Sequence, residues 1–299
     1  MIRRGIAVLL ICCLGLMPAL AYGTLAVDED DTSHYTLPIN DSPGLPVDSR
    51  FFLSDTEYED PTLRFTIETG RREECDYWIV DIEIKDPSQL RTASADGWDS
   101  SGVAPGTRMA QRMNAVLAIN GDYFSYKGHD YVVRQGVTYL NHLRGNRDIL
   151  VIDEDGDFHG YLAPDRGDIP DEIDGKKIIN AFSFGPLLVL DGQIRQGGYS
   201  LAMSEDVGCQ RMALAQTGPL QYRIICCAAP RRGSKGMTLE KFRNFVAEMK
   251  DIRIAYNLDG GDSTVLIING QKINDVENPN TRNLADIIYF ATAYPGVGQ

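Results

Sequence analysis

Apolar and polar positions begin to alternate regularly near Thr62. The segments "TLRFTIETG" and "DYWIVDIEI" change character at every second residue, the period of two half-buried strands paired with each other. "TRMAQRMNAV" places Met109 and Met113 four residues apart and predicts a short helix. "AVLAING", apolar without alternation, predicts a fully buried strand. "DILVIDEDGDFHGYL" predicts a hairpin turning at Asp155-Gly156. Two more strands are expected around Gly185-Pro186 in "IINAFSFGPLLVLDGQI", and "RMALAQ" and "YRIICCA" are expected to be sheet neighbours. "TLEKFRNFVAEMK" is the best helix. Leu239, Phe242, Phe245, Val246 and Met249 form its apolar stripe and Thr238 its N-cap. Asn269-Gly270 turns "TVLII" back into "QKIND", and "DIIYFATAY" is the last strand. The fold class is therefore α+β, a single mixed, mostly β-sheet domain with a few packed helices, over residues 62–299.

The first sixty residues read differently. Two arginines, an apolar run from Ile6 to Leu16 and Ala19-Leu20-Ala21 have the layout of a signal peptide, residues 1–21, cleaved near Ala21. The run is short for a membrane span, so a retained anchor is the lesser reading. Residues 22–61, rich in Asp, Pro, Ser and Thr, read as a linker or N-terminal arm. The expectation is a secreted or cell-surface protein with no membrane span after the leader is removed.

A net charge of −13 argues against nucleic acid as a partner. Outside the leader the cysteines are Cys75, Cys209, Cys226 and Cys227. A hairpin about "TGPL" would set Cys209 nearly opposite Cys227, leaving two readings: a disulfide in an exported protein, or buried free thiols. No C-x-x-C pair is present, which disfavours a zinc cluster. Asp153, Asp155 and Asp157 alternate as in a calcium loop, but Phe158 and Pro164 stand where that loop needs glycine and glutamate.

The candidate chemistry lies in two stretches built to one plan. In "NLDGGDSTVLIING" an apolar strand runs into Asp259, Gly260, Gly261, Asp262 and Ser263. In "LAINGDYF" another ends in Asn120, Gly121 and Asp122, followed by Tyr123 and Phe124. Each alone reads most simply as a turn. Carboxylates and amides beside aromatic rings also suit a sugar, which has an apolar face and a rim of hydroxyls. "GDST" invites a serine-hydrolase reading, yet His34, His129, His142 and His159 all precede Ser263, where that arrangement expects a late histidine.

With "VVRQGVTY", "FSFGPLLVLDGQI", "QRMALAQ", "KGMTLEKF" and "TRNLADIIYF" in the same order, the chain resembles the phosphodiester glycosidase family over roughly residues 62–292. The resemblance implies hydrolysis at a sugar–phosphate linkage. It places Asn120, Gly121 and Asp122 in the family's Asn-Gly-Gly/Asp motif and Asp259, Gly260, Gly261 and Ser263 in its Leu-Asp-Gly-Gly-x-Ser motif. Arg211 and Arg282 match family arginines, and Arg134 matches one found in many bacterial members. Where relatives commonly carry Asp-Gly-Arg, this chain has Ala229-Pro230-Arg231, so one carboxylate is missing.

On this reading Asp259, Asp122 and Asn120 are the catalytic candidates. Arg282, Arg211, Arg134, Gly260, Gly261, Ser263 and Tyr123 are the candidates for substrate binding. A phosphate ester departs as a weakly basic anion, so cations and backbone N–H groups around it matter more than a proton donor. The plain reading of Arg282 is a turn cap or a surface pair with Asp286. The expected function is an exported glycosidase cleaving a sugar-1-phosphodiester, with N-acetylglucosamine-1-phosphate esters of surface polymers or polysaccharide as examples. Two rivals stand beside it. One is a phosphodiesterase holding a divalent cation through Asp122, Asp259 and Asp262. The other is a non-catalytic glycan-binding or exopolysaccharide assembly protein, which the alanine at 229 would suit.

Overall fold

A computed structural model describes residues 35–125, 131–142, 147–163, 169–196, 206–230, 233–276 and 281–296. The expected leader, His34, His129, Pro164 and Arg231 lie outside these residues. Among the described residues, strands form sheets of nine, six and five members, and the strand pairings are antiparallel. Leu63–Arg72 and Cys75–Ile84 pair along their whole length in the first sheet, as the alternation predicts. Gln221–Cys227 and then Arg211–Gly218 follow, then Ile254–Asn257 and Leu187–Leu190. The central strand of the smallest sheet, Ala115–Asn120, is buried at every position and flanked by Leu266–Ile268 and Asp286–Ala291. The remaining sheet contains Ile149–Asp153, Lys176–Phe182 and Tyr131–Arg134. The two strands around Gly185-Pro186 therefore belong to different sheets.

The principal core lies where faces of the three sheets meet. Val80, Ile224 and Tyr256 of the first sheet share it with Leu117, Ile119 and Phe290 of the smallest and Leu150 and Phe182 of the third. On its other face the first sheet carries the helix Leu239–Ala247, whose Leu239, Phe242 and Val246 are fully buried. Thr238 caps it by accepting a hydrogen bond from the Lys241 N–H at 3.2 Å. The shorter helix, Gly106–Arg112, lays Met109 and Ala110 on the outer face of the smallest sheet. The architecture is a mostly β domain with two packed α-helices among the described residues.

From residue 35 the N-terminal arm is built into this domain. Leu37 is buried against the smallest sheet, and Phe52–Ser54 and Glu57–Glu59 extend the edge of the largest. The fully buried Arg91 holds the arm by donating to the carbonyls of Pro38, Asn40 and Ser42 at 2.8–3.0 Å. The arm's apolar residues dock singly rather than as a periodic run, so its composition alone resembles a linker.

At Asp153 the turn reading holds: its Oδ1 accepts the Asp155 and Asp157 N–H groups, both at 3.0 Å. Of the two cysteine readings, the free thiols are the one found. Cys227 faces Arg211 rather than Cys209 in the hairpin register, and Cys75, Cys209, Cys226 and Cys227 are free thiols. Cys209 lies outside the strand, bridged to Met237.

Candidate active site

Two strand ends from different sheets meet in one cleft. Ala115–Asn120 delivers the "NGDY" turn from the smallest sheet, and Ile254–Asn257 delivers "LDGGDS" from the largest. Asn120, Gly121, Tyr123, Asp259, Ser263, Arg282 and Asp286 all line the cleft. Asn120 joins the two turns. Its Nδ2 donates to the Asp259 carbonyl at 2.8 Å and its Oδ1 accepts the Val265 N–H at 3.2 Å. With 1% exposure and its amide so engaged, Asn120 is a tie between loops and not a group turned to a substrate.

Behind the "NGDY" turn sits a buried charge cluster. Asp122 is fully buried. Its Oδ1 receives Arg134 Nη2 at 2.7 Å and its Oδ2 the Ser183 N–H at 3.1 Å. Arg134 is equally buried, donating to the Val133 and Ala181 carbonyls and lying over the rings of Phe182 and Trp98, 4.3 and 5.4 Å from their centroids. Burying a carboxylate is tolerable when a cation and a backbone N–H meet its oxygens, as they do here. Neither Asp122, a catalytic candidate, nor Arg134, a substrate-binding candidate, is a wall of the cleft; the two form a charge pair inside the protein.

On the "DGGDS" side Asp259 and Ser263 are largely buried but line the cleft. Asp259 sits at the cleft, and burial raises its pKa while Ser263, the Gly260 N–H and Arg282 oppose that shift. Ser263 is tied to both Asp259 and Arg282, whose Nη1 approaches the serine hydroxyl at 3.5 Å. Arg282 is exposed, its backbone N–H fixed on the Asp262 carbonyl at 2.8 Å. The surface pair with Asp286 does not form, because Asp286 is buried and faces Arg134 at 3.5 Å. Gly261 adopts φ +59°, a conformation that favours glycine. A Cβ on Gly260 would meet the Gln210 carbonyl oxygen at 2.9 Å. These glycines shape the turn, but their N–H groups do not await a phosphate. That of Gly260 is taken by Asp259 Oδ1 at 2.9 Å and that of Gly261 by the Gln210 carbonyl at 3.0 Å.

Arg211 stands beside this turn without lining the cleft. Its guanidinium donates to the Met237 and Val207 carbonyls at 3.2 and 3.1 Å, fastening the segment ahead of the helix. Ala229, at the position of the missing family carboxylate, is buried, and its N–H donates to Asp275 Oδ2 at 3.3 Å. Asp122, Asp259 and Asp262 do not assemble as a cation cage. Both Asp122 oxygens are occupied, and among the described residues no group of three or more His, Cys, Asp or Glu side chains could hold a metal ion.

Sequence reasoning took Asp286 only as a possible surface partner of Arg282. The available signal was an acidic residue opening the apolar run "DIIYFA", because a charge in a strand buried along its length needs a partner or a purpose. Tyr123 is half-buried at the cleft with φ +57°, rare for a residue with a side chain and frequent where a turn serves a site.

A family model described as phosphodiester glycosidase matches residues 113–291, more than half of the chain. No curated protein matches. Among solved structures, the zebrafish N-acetylglucosamine-1-phosphodiester alpha-N-acetylglucosaminidase catalytic domain, auto-inhibited by its pro-peptide, is 16% identical. It has a TM-score of 0.61 over 83% of this chain and 87% of that one. A hypothetical protein from Synechocystis, also 16% identical, has a TM-score of 0.50 over 76% of this chain and 62% of that one. These two likenesses are of fold. Among the described residues no helix is long and apolar enough to cross a membrane.

Proposed function

Because the chain belongs to the phosphodiester glycosidase family, we propose that it hydrolyses the bond between C1 of a sugar and the oxygen of a phosphodiester. The products are the free sugar and a phosphate monoester. The observation that carries this reading is the convergence of "NGDY" and "DGGDS" in one cleft beside Arg282. The bond breaks through a cation-like sugar and a departing anion. Asp259 is the carboxylate placed to stabilise that sugar or to direct water to C1. Ser263 and the Gly260 N–H orient it. Arg282, exposed at the rim, is the cation placed to receive the phosphate. Tyr123 supplies an aromatic wall. Asn120 and the Asp122–Arg134 pair hold these parts in place and do not react. The natural substrate on this reading is a sugar-1-phosphodiester of a surface polymer or polysaccharide, met by an exported protein.

Hydrolysis in oxygen-18 water tests the assignment. Label on the sugar carbon is expected. Label in the phosphate would replace it with the phosphodiesterase, and binding without any turnover would replace it with the glycan-binding protein.

A further inference from the structure

Asp286 opens the strand Asp286–Ala291, lines the cleft, and is 1% exposed. Its two oxygens are treated unequally. Oδ1 accepts the Tyr123 N–H at 3.2 Å, whereas Oδ2 has no hydrogen-bond partner despite being buried. The cation facing it is Arg134, whose Nη2 stands 3.5 Å from Oδ2 but only 2.7 Å from Asp122. One guanidinium thus faces two carboxyl groups, and the closer has both the short contact and the Ser183 N–H. A second buried charge with no hydrogen bond on one oxygen is costly, and keeping a proton removes that cost. Burial and then the Asp122 charge push the Asp286 pKa up to about 7, against Arg134 and the N–H groups of Tyr123 and Asp122. Asp259 on the opposite turn and Arg282 at the rim are the other charged groups of the cleft, while the strand partner Ser94 carries no charge. Gly121 lies against this carboxyl so closely that a Cβ there would collide with it.

We propose that Asp286 is a neutral acid whose Oδ2–H donates a hydrogen bond to a substrate oxygen, holding the sugar phosphodiester beside Asp259. The proton stays on Asp286 throughout, and no bond is made or broken at this residue. The substrate rests on the function proposed above; the protonated carboxyl does not. Ionised, the same group would repel a phosphodiester that is itself an anion.

The test compares the full chain with Asp286→Asn and Asp286→Leu, using methyl N-acetylglucosamine-1-phosphate diester, whose charge is constant across neutral pH. kcat/KM and KM are followed from pH 5.5 to 9, and infrared spectra are recorded alongside. In the native chain kcat/KM is expected to fall about tenfold as pH rises through 7, the cost of one hydrogen bond to a charged group. The Asp286→Asn amide donates at every pH, so this variant should retain the acid-side rate and lose the alkaline fall. Asp286→Leu should be weak throughout. The native infrared spectrum should contain a protonated-carboxyl band that disappears at pH 9 and in Asp286→Asn. The inference is overturned if Asp286→Asn is as impaired as Asp286→Leu, if it keeps the native alkaline fall, or if the band is missing. A native chain that neither binds nor cleaves the diester removes the proposed function and with it the donation to substrate. The band then decides independently whether Asp286 holds its proton.

Discussion

The turns "NGDY" and "DGGDS" look alike in sequence and differ in charge environment. Each follows a buried strand, combines glycine with aspartate, and contributes to the same cleft. Asp122 is sealed, with a guanidinium on one oxygen and a backbone N–H on the other. Asp259 is also largely buried, but it is held by a serine and by its neighbour's N–H and lines the cleft. A carboxylate whose oxygens are both satisfied inside the protein is a structural charge. One whose partners leave it facing a cleft is available for chemistry. The motif identifies a site, and the burial of each aspartate decides its part in it.

The sharpest break of this comparison is Asp259→Asn. Turnover of a sugar-1-phosphodiester should fall roughly 10³-fold or more, the scale for removing one group that stabilises a transition state. Circular dichroism and the melting temperature should be unchanged. Full activity in this variant would make the two aspartates equivalent after all.

Asp122→Ala should act on the other side of the comparison. It removes the 2.7 Å partner of buried Arg134 and also the charge that helps keep Asp286 protonated. Asp286 at 3.5 Å can replace only part of the pairing, so the cost should lie at the lower end of the about 3–5 kcal/mol for breaking a buried pair. Urea denaturation should show that loss, with activity falling because less protein is folded. A variant of native stability that loses turnover would transfer Asp122 to the chemistry.

Arg282→Ala should have the smallest effect. Its side chain is exposed and makes no ion pair among the described residues, so stability should hold. KM for the diester should rise about tenfold, corresponding to about 1.4 kcal/mol, with a smaller change in kcat. Kinetics identical to the native chain would leave the phosphate without its proposed anchor.

Much of this molecule could be read along the chain. The alternation in 62–84 gave the paired strands, the stripe from Leu239 to Val246 gave the helix, and Asn269-Gly270, at φ +48° and +71°, makes the expected turn. These are local: each depends on residues within a few positions. The arm from residue 35 was less legible, since its attachment depends on Arg91, some fifty residues later in the chain. Arg211 and Arg134 are binding candidates because they match family arginines. Their carbonyl, carboxylate and aromatic partners come from strands and loops that the motifs do not include. Cys209 lies near Cys227, whose Sγ is 3.6 Å from the Cys209 carbonyl oxygen, but Arg211 takes the facing register position and the thiols are free.

The sequence by itself determined the strands, the turns, the family, and the two stretches between which a cleft had to lie. Only the tertiary structure decided which acidic groups are neutralised, which one lines the cleft, and that Asp286 joins them. The physical reason is range: backbone preference acts between near neighbours. Whether a carboxyl keeps its charge depends on the water it loses and on the cation brought beside it, here Arg134, from distant parts of the chain.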